Sequence, residues 1–296
     1  RPAKHPSMAT ISQINVYPIK SCAGIALDEV RMFAHGLEYD RHWMLVDTSG
    51  RFVTQRTMPR MALIEPELAG GELVVRAPGQ APFRTPLDAA VRSDAERIEV
   101  TVWRSTLNAI DVGGEAAQWF SAFLGAPLRL VRFDPAAQRI ANRDRTGHTI
   151  APLRFADGYP LLVIGQASLD DLNARLGKKG VDAIPMNRFR PNLVLSGIEA
   201  YEEDYIDTLR LETGARPIGL RFVKPCTRCP IPTIDQLSGA PDPRWPHEPT
   251  DTLSAYRADS RVDGQMTFGQ NAVVVDGAGT VLAAGCDASL ELRFDN

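Results

Sequence analysis

The chain has 296 residues, 44% of them hydrophobic and 23% charged, which is material for one large or two ordinary domains with full cores. A formal net charge of −3 excludes general affinity for nucleic acid or an anionic membrane, so any anion binding needs a local basic cluster. Four cysteines do not make a disulfide scaffold and suggest a reducing compartment, and no apolar run approaches the roughly 18 residues of a membrane span.

The polar opening, residues 1–7, has no apolar stretch, so a signal peptide is not expected and Met8 is the expected natural start. Alternation of Ile11, Gln13, Ile14 and Val16 predicts a strand over 10–17, ending at Pro18. A loop at 20–24 and a second strand over 25–33 follow. Asp47-Thr48-Ser49-Gly50 between runs at 42–47 and 51–55 predicts a hairpin. Short strands continue at 72–75, 98–103 and 107–112, a spacing that suggests a barrel or sandwich. No Gly-x-Gly-x-x-Gly and no regular βαβ alternation occur, which disfavours a dinucleotide fold.

Residues 115–124 read as the first helix, with Trp119, Phe120, Phe123 and Leu124 on one face and Gly125 and Pro127 stopping it. After a strand at 128–133, the arginine-rich stretch 134–154 lacks periodicity and reads as a long loop or a crossing between domains. A buried strand at 161–164 precedes a helix over 168–176, with Ser168 as its cap and Gly177 as its stop. Strands at 192–195, 209–212 and 218–223 lead to a cysteine-bearing loop. A short helix at 251–257 and a closing hairpin of 272–275 with 281–284 complete the chain.

The loop reads K-P-C-T-R-C-P-I-P-T-I-D, from Lys224 to Asp235. A zinc site would need further ligands, yet Cys22 and Cys286 stand alone and no paired histidines follow. A thioredoxin-type pair would sit at a helix start, which Pro230 and Pro232 argue against. Two readings stay open: a pair of small buried hydrophobes, or one thiolate bound to a metal carried by a separate cofactor. Lys20, Arg41, Arg56, Arg188 and Arg190 fall at the ends of predicted strands. Singly such residues are solvated; as a set they could hold a small phosphorylated ligand. Lys20-Ser21 lacks the glycines of a P-loop, so nucleotide hydrolysis is not supported. Asp157, before the strand at 161–164, is either a turn aspartate or a carboxylate able to shuttle a proton, and Asp235 shares the ambiguity. His42 and His148 could approach a site.

Several motifs resemble, in order, those of the two-domain MOSC proteins. They are Y-P-I-K-S-C-A-G (17–24), G-L-E-Y-D-R-H-W-M-L-V (36–46), V-T-Q-R-T-M-P-R (53–60), A-S-L-D-D-L-N (167–173), R-F-R-P-N-L-V-L-S-G (188–197), the cysteine loop, and F-G-Q-N (268–271). That family of molybdenum-cofactor enzymes includes the mitochondrial amidoxime-reducing component and bacterial reductases of N-hydroxylated bases. The resemblance implies a mainly β (α+β) fold: a MOSC-N β-barrel over 8–133 and a MOSC β-barrel over 134–296. It implies that Cys229 ligates molybdenum, with Cys226 a neighbour, and that Lys20, Ser21, Arg41, Arg190 and Asn192 hold the pterin and its phosphate. Asp157 would lie near the metal as a proton relay. The implied reaction is reduction of N-hydroxylated compounds to amines, with electrons from a separate flavoprotein, ferredoxin or cytochrome. No membrane anchor or iron–sulfur motif is seen, so a cytoplasmic protein is expected. The alternative is a cofactor carrier or sulfur-transfer protein without reductase turnover.

Overall fold

The computed structural model describes residues 8–88 and 95–293; the first seven residues lie outside them. Its centre is a closed barrel of seven strands. In hydrogen-bonded order these are Leu161–Gly165, Leu193–Ser196, Met8–Val16, Asp287–Leu292, Ile206–Glu212, Ile218–Thr227 and Gln265–Asp276. The ring shuts where Leu161–Gly165 returns to pair with Gln265–Asp276. Alternate residues of these strands point inward: Ile11, Leu193, Leu195, Leu209, Leu211, Leu220 and Phe222 pack into one core. Each such side chain contributes about 1.5–3 kcal/mol through removal from water.

Beside the barrel lies a half-barrel built from the first part of the chain. Its four-stranded sheet runs Trp43–Val46, Arg129–Phe133, Ser105–Asp111, Arg97–Val102, and a meander of Glu65–Ala69, Glu72–Arg76 and Phe83–Pro86 adjoins it. Helix Gly114–Leu124 buries Ala116, Phe120 and Phe123 in the core beneath, as its spacing predicts, and Gly125 ends it in the left-handed conformation.

Several local expectations need correction. The strand predicted over 25–33 is two strands, Ile25–Leu27 and Glu29–Phe33, with different partners. The second arm of the hairpin at 47–50 is reduced to isolated bridges at Arg51 and Phe52. The helix predicted at 168–176 runs Gln166–Lys178, and Ser168 is no cap: it is buried and donates to the Glu203 carboxylate. Tertiary pairing with a buried acid outranks the local capping pattern. The closing hairpin is absent, because Val281–Ala283 pairs with Glu29–Phe33 rather than with Gln265–Asp276. The stretch 134–154 contains a short helix, Arg143–Thr146, and an Ile140–Pro152 bridge. Finally, Ile218–Thr227 runs on through Pro225 and Cys226. Its pairing with Ile206–Glu212 stops at Arg221, so Pro225 stands where one edge is free and the ladder to the other neighbour is bulged.

Candidate functional site

Turns from the half-barrel meet turns and strand ends of the barrel around a cavity of about 620 Å³. Lys20, Ser21, Arg41, Asp157, Arg190, Asn192 and Cys229 all line it, and so does Arg56. Arg188 points elsewhere: it donates to the carbonyls of Pro232 and Thr233 and to the Asp235 carboxylate (2.9 Å), clamping the cysteine loop from behind. Asp235 is thereby a loop brace. His42 packs among His35, Tyr39 and Trp43, away from the cavity.

Backbone strain concentrates here. Ser21, Arg41, Trp103 and Arg190 have φ between 51° and 66°, and they are four of the seven described non-glycine residues with positive φ. A bulky side chain in that region costs on the order of 1 kcal/mol or more, so the surroundings must impose it. They do so through turn hydrogen bonds: Lys20 N to Trp43 O (2.8 Å), Arg41 N to Tyr17 O (2.8 Å) and Phe155 N to Arg41 O (2.9 Å).

The floor is cationic and buried. The guanidinium carbons of Arg41 and Arg190 each lie 4.3 Å from the centre of the Tyr17 ring. Tyr17 is fixed by donation from its hydroxyl to Pro191 O (3.0 Å) and from its amide to Asp40 (2.9 Å). Arg41 donates to Asp40 and, at 3.2 Å, to Asn192 Oδ1. Asn192 also accepts from Leu162 N (3.1 Å), so one amide ties the floor to the barrel. Arg190 differs. It is 9% exposed, and neither Nη1 nor Nη2 finds a partner among the described residues. Burial lowers its pKa to about 10 despite the nearby Tyr17 oxygen.

Lys20 Nζ donates to Phe155 O (2.9 Å) and pairs with Asp157 Oδ1, which also accepts from Trp103 Nε1 at 2.9 Å. The two partners respond unequally. Burial lowers the pKa of Lys20 more than Asp157 raises it. For Asp157 the charge and hydrogen bonds of Lys20, with the Trp103 donor, outweigh burial and hold the carboxyl well below the usual range. Its side chain remains 71% accessible, so the carboxylate meets water on one side while its base is held by the cavity wall.

Two arginines missed in the sequence shape the wall. Arg139 donates to the carbonyls of Arg154, Ala156 (2.9 Å) and Asp157 (3.3 Å), fastening the turn that carries Asp157. Arg228 donates to Cys226 Sγ (3.1 Å) and Phe189 O (3.0 Å). Cys226 and Cys229 both line the cavity, and Cys226 also packs partly against the core around Phe189 and Phe268. Both are free thiols. Among the described residues no three His, Cys, Asp or Glu side chains cluster in a way that could hold a metal ion unaided.

The sequence models named MOSC N-terminal beta barrel domain and MOSC domain match residues 8–127 and 151–286. Mitochondrial amidoxime-reducing component 1 of Homo sapiens is 34% identical over 266 residues, covering 84% of this chain and 72% of the relative. The chain belongs to the MOSC family. Mitochondrial amidoxime reducing component 2 of Rattus norvegicus is 33% identical over 264 residues, covering 84% and 73%. The molybdenum cofactor sulfurase of Bos taurus is 31% identical over 250 residues, covering 77% of this MOSC protein and 27% of the sulfurase. Among the described residues no helix is long and apolar enough to cross a membrane.

Proposed function

We propose that this MOSC protein holds a molybdenum cofactor in the cavity and reduces N-hydroxylated compounds (hydroxylamines, amidoximes, N-hydroxylated bases) to amines. One observation carries the reading: the buried Arg190 guanidinium, with both terminal nitrogens unpartnered, shares a cavity with Arg41, Lys20 and the Cys229 thiol. Free guanidinium donors fit a phosphate, which can accept two of them at once. A soft thiolate fits molybdenum, and since the described residues offer no other ligand cluster, a metal here would bring its remaining ligands with it.

When bound, the cofactor supplies the two-electron chemistry that cleavage of an N–O bond requires. Cys229 is its ligand from the protein, and Lys20, Ser21, Arg41, Arg190 and Asn192 hold its anionic end. The overall change, an N-hydroxyl compound plus two electrons and two protons giving amine and water, needs a proton path. Lys20 and Asp157 provide it: burial weakens the hold of Lys20 Nζ on its proton, and Asp157 joins that ammonium to solvent. Electrons would come from a flavoprotein, ferredoxin or cytochrome, since Cys22 is buried in another core and the described residues hold no four-thiolate set for a cluster of their own.

The sulfurase relative favours a second reading, a cofactor carrier or sulfur-transfer protein. Protein purified from a host that makes the cofactor is tested for molybdenum, pterin and turnover of benzamidoxime with a chemical reductant. Stoichiometric molybdenum with turnover that Cys229→Ser abolishes and Cys226→Ser largely spares is expected. Exchange of cofactor to an apo-acceptor without turnover would instead establish the carrier.

A further inference from the structure

We infer that Trp103 and Arg56 form a substrate shelf at the cavity mouth, selecting planar aromatic substrates that carry an anionic substituent. The inference rests on the reductase reading for the identity of the reacting group, but its geometry is independent of it. Trp103 sits at the tip of the hairpin between Arg97–Val102 and Ser105–Asp111, with φ 55°. An indole at a hairpin tip is ordinarily free to move; this one is pinned three ways. Its Nε1 donates to Asp157, Phe52 packs against it at 5.1 Å, and the Arg56 guanidinium lies 4.7 Å from its ring centre. Yet 44% of it remains exposed. A large aromatic held rigid by three contacts and still open to solvent is a surface prepared for a ligand, since aromatic anchors give contact area at little entropic cost.

Arg56 supplies the charge. It is exposed, lines the same cavity, and its guanidinium has no carboxylate or other acceptor among the described residues. Arg41 is paired with Asp40 and Lys20 with Asp157, whereas Arg190 is buried in the floor. Arg228 is committed to Cys226 and Phe189 O, and Lys224 is half-buried in the lining, so Arg56 is the exposed cation beside the open indole. Asp157 meets the edge of that indole at Nε1, whereas Arg56 lies over its ring, so a ligand on the shelf would have Arg56 and the proton path both within its reach.

The test is calorimetric binding to the cofactor-loaded protein without reductant, so that no turnover occurs, using benzamidoxime, para-carboxybenzamidoxime and acetamidoxime. Trp103→Asn, chosen because asparagine tolerates positive φ, should weaken the two aromatic ligands about 3- to 10-fold and leave acetamidoxime unchanged. Trp103→Phe should recover most of the loss. Arg56→Gln should remove the advantage of the carboxylated ligand over benzamidoxime, about 3- to 10-fold, while benzamidoxime itself weakens less than in Trp103→Asn, since Phe52 and Asp157 still hold the indole. Equal affinities for aromatic and aliphatic ligands in the parent protein, or ratios unmoved by both variants, would overturn the shelf. Trp103-dependent binding with no turnover of any ligand once a chemical reductant is then added would keep the shelf and sink the reductase reading instead.

Discussion

Replacing Arg190 with methionine should make the cofactor-free protein more stable while destroying its hold on the cofactor. The guanidinium is 9% exposed with two unpartnered nitrogens, and burial brings its pKa from an ordinary 12.5 to about 10. That depression is a destabilisation on the order of 3 kcal/mol at neutral pH, present while the group stays charged and relieved only as the pH climbs through 10 towards 12.5. The stacking on Tyr17 at 4.3 Å, worth roughly 1–2 kcal/mol, is lost in the variant. Methionine keeps an unbranched stem of similar bulk and brings no charge. The net expectation is a gain of about 1–2 kcal/mol, a rise of a few degrees in the apparent melting midpoint of the cofactor-free protein. In parallel, molybdenum and pterin content after expression with cofactor should fall at least about tenfold. A variant less stable than the parent that retains cofactor would refute the argument, because Arg190 would then be an ordinary satisfied core residue.

Asp157→Asn should cost about 1–2 kcal/mol by denaturant titration, since Lys20 Nζ keeps Phe155 O but loses its counter-charge, and the exposure of Asp157 limits the loss. Its turnover should fall about tenfold or more at unchanged molybdenum content; undiminished turnover would remove the pair from the proton path. Arg139→Met leaves the carbonyls of Arg154, Ala156 and Asp157 without their donor, so a loss of about 2–4 kcal/mol and reduced kcat are expected, and a silent variant would show that the turn holds itself. Burial, with the charge of Arg154, depresses His42 to about 3 and His35 to about 4 from 6.5. Unfolding therefore takes up protons in that range: the stabilising contribution is whole above 6.5 and is lost as the pH falls towards 4 and below. His42→Phe should flatten the fall in unfolding free energy between pH 6.5 and about 4 by roughly 1–3 kcal/mol, measured by urea titration at each pH.

That Lys20, Arg41, Arg56 and Arg190 reach one cavity with Cys229 was legible in the ordered motifs, which are local features of the chain, whereas Arg188, of the same pattern, turns to the cysteine loop instead. Helix Gly114–Leu124 was legible for the same reason: its apolar spacing and Gly125 lie within a dozen residues. What escaped was set by distant partners. Ser168 looks like a cap until Glu203 is packed against it, and residues 281–284 look like half of a hairpin until Glu29–Phe33 takes the pairing. Trp103 gave no signal, as nothing near it in sequence names Asp157 or Arg56 as its neighbours. Arg139 was hidden in a stretch without periodicity, where a side chain serving three carbonyls cannot be told from a solvated one.

The first strand of the chain, Met8–Val16, sits between Leu193–Ser196 and Asp287–Leu292, and Thr10 pairs with Asp287. On a ribosome, then, this strand emerges long before Asp287–Leu292, which must follow before its second edge is covered. For most of synthesis it is a strand with an open side, the condition under which strands find wrong partners. The cavity shares that timetable, because Lys20 follows closely on this strand while Cys229 and Asn271 arrive far later. Shutting the ring and assembling the pocket are thus one late event, and a gene cut between the segments matched by the two family models would yield neither.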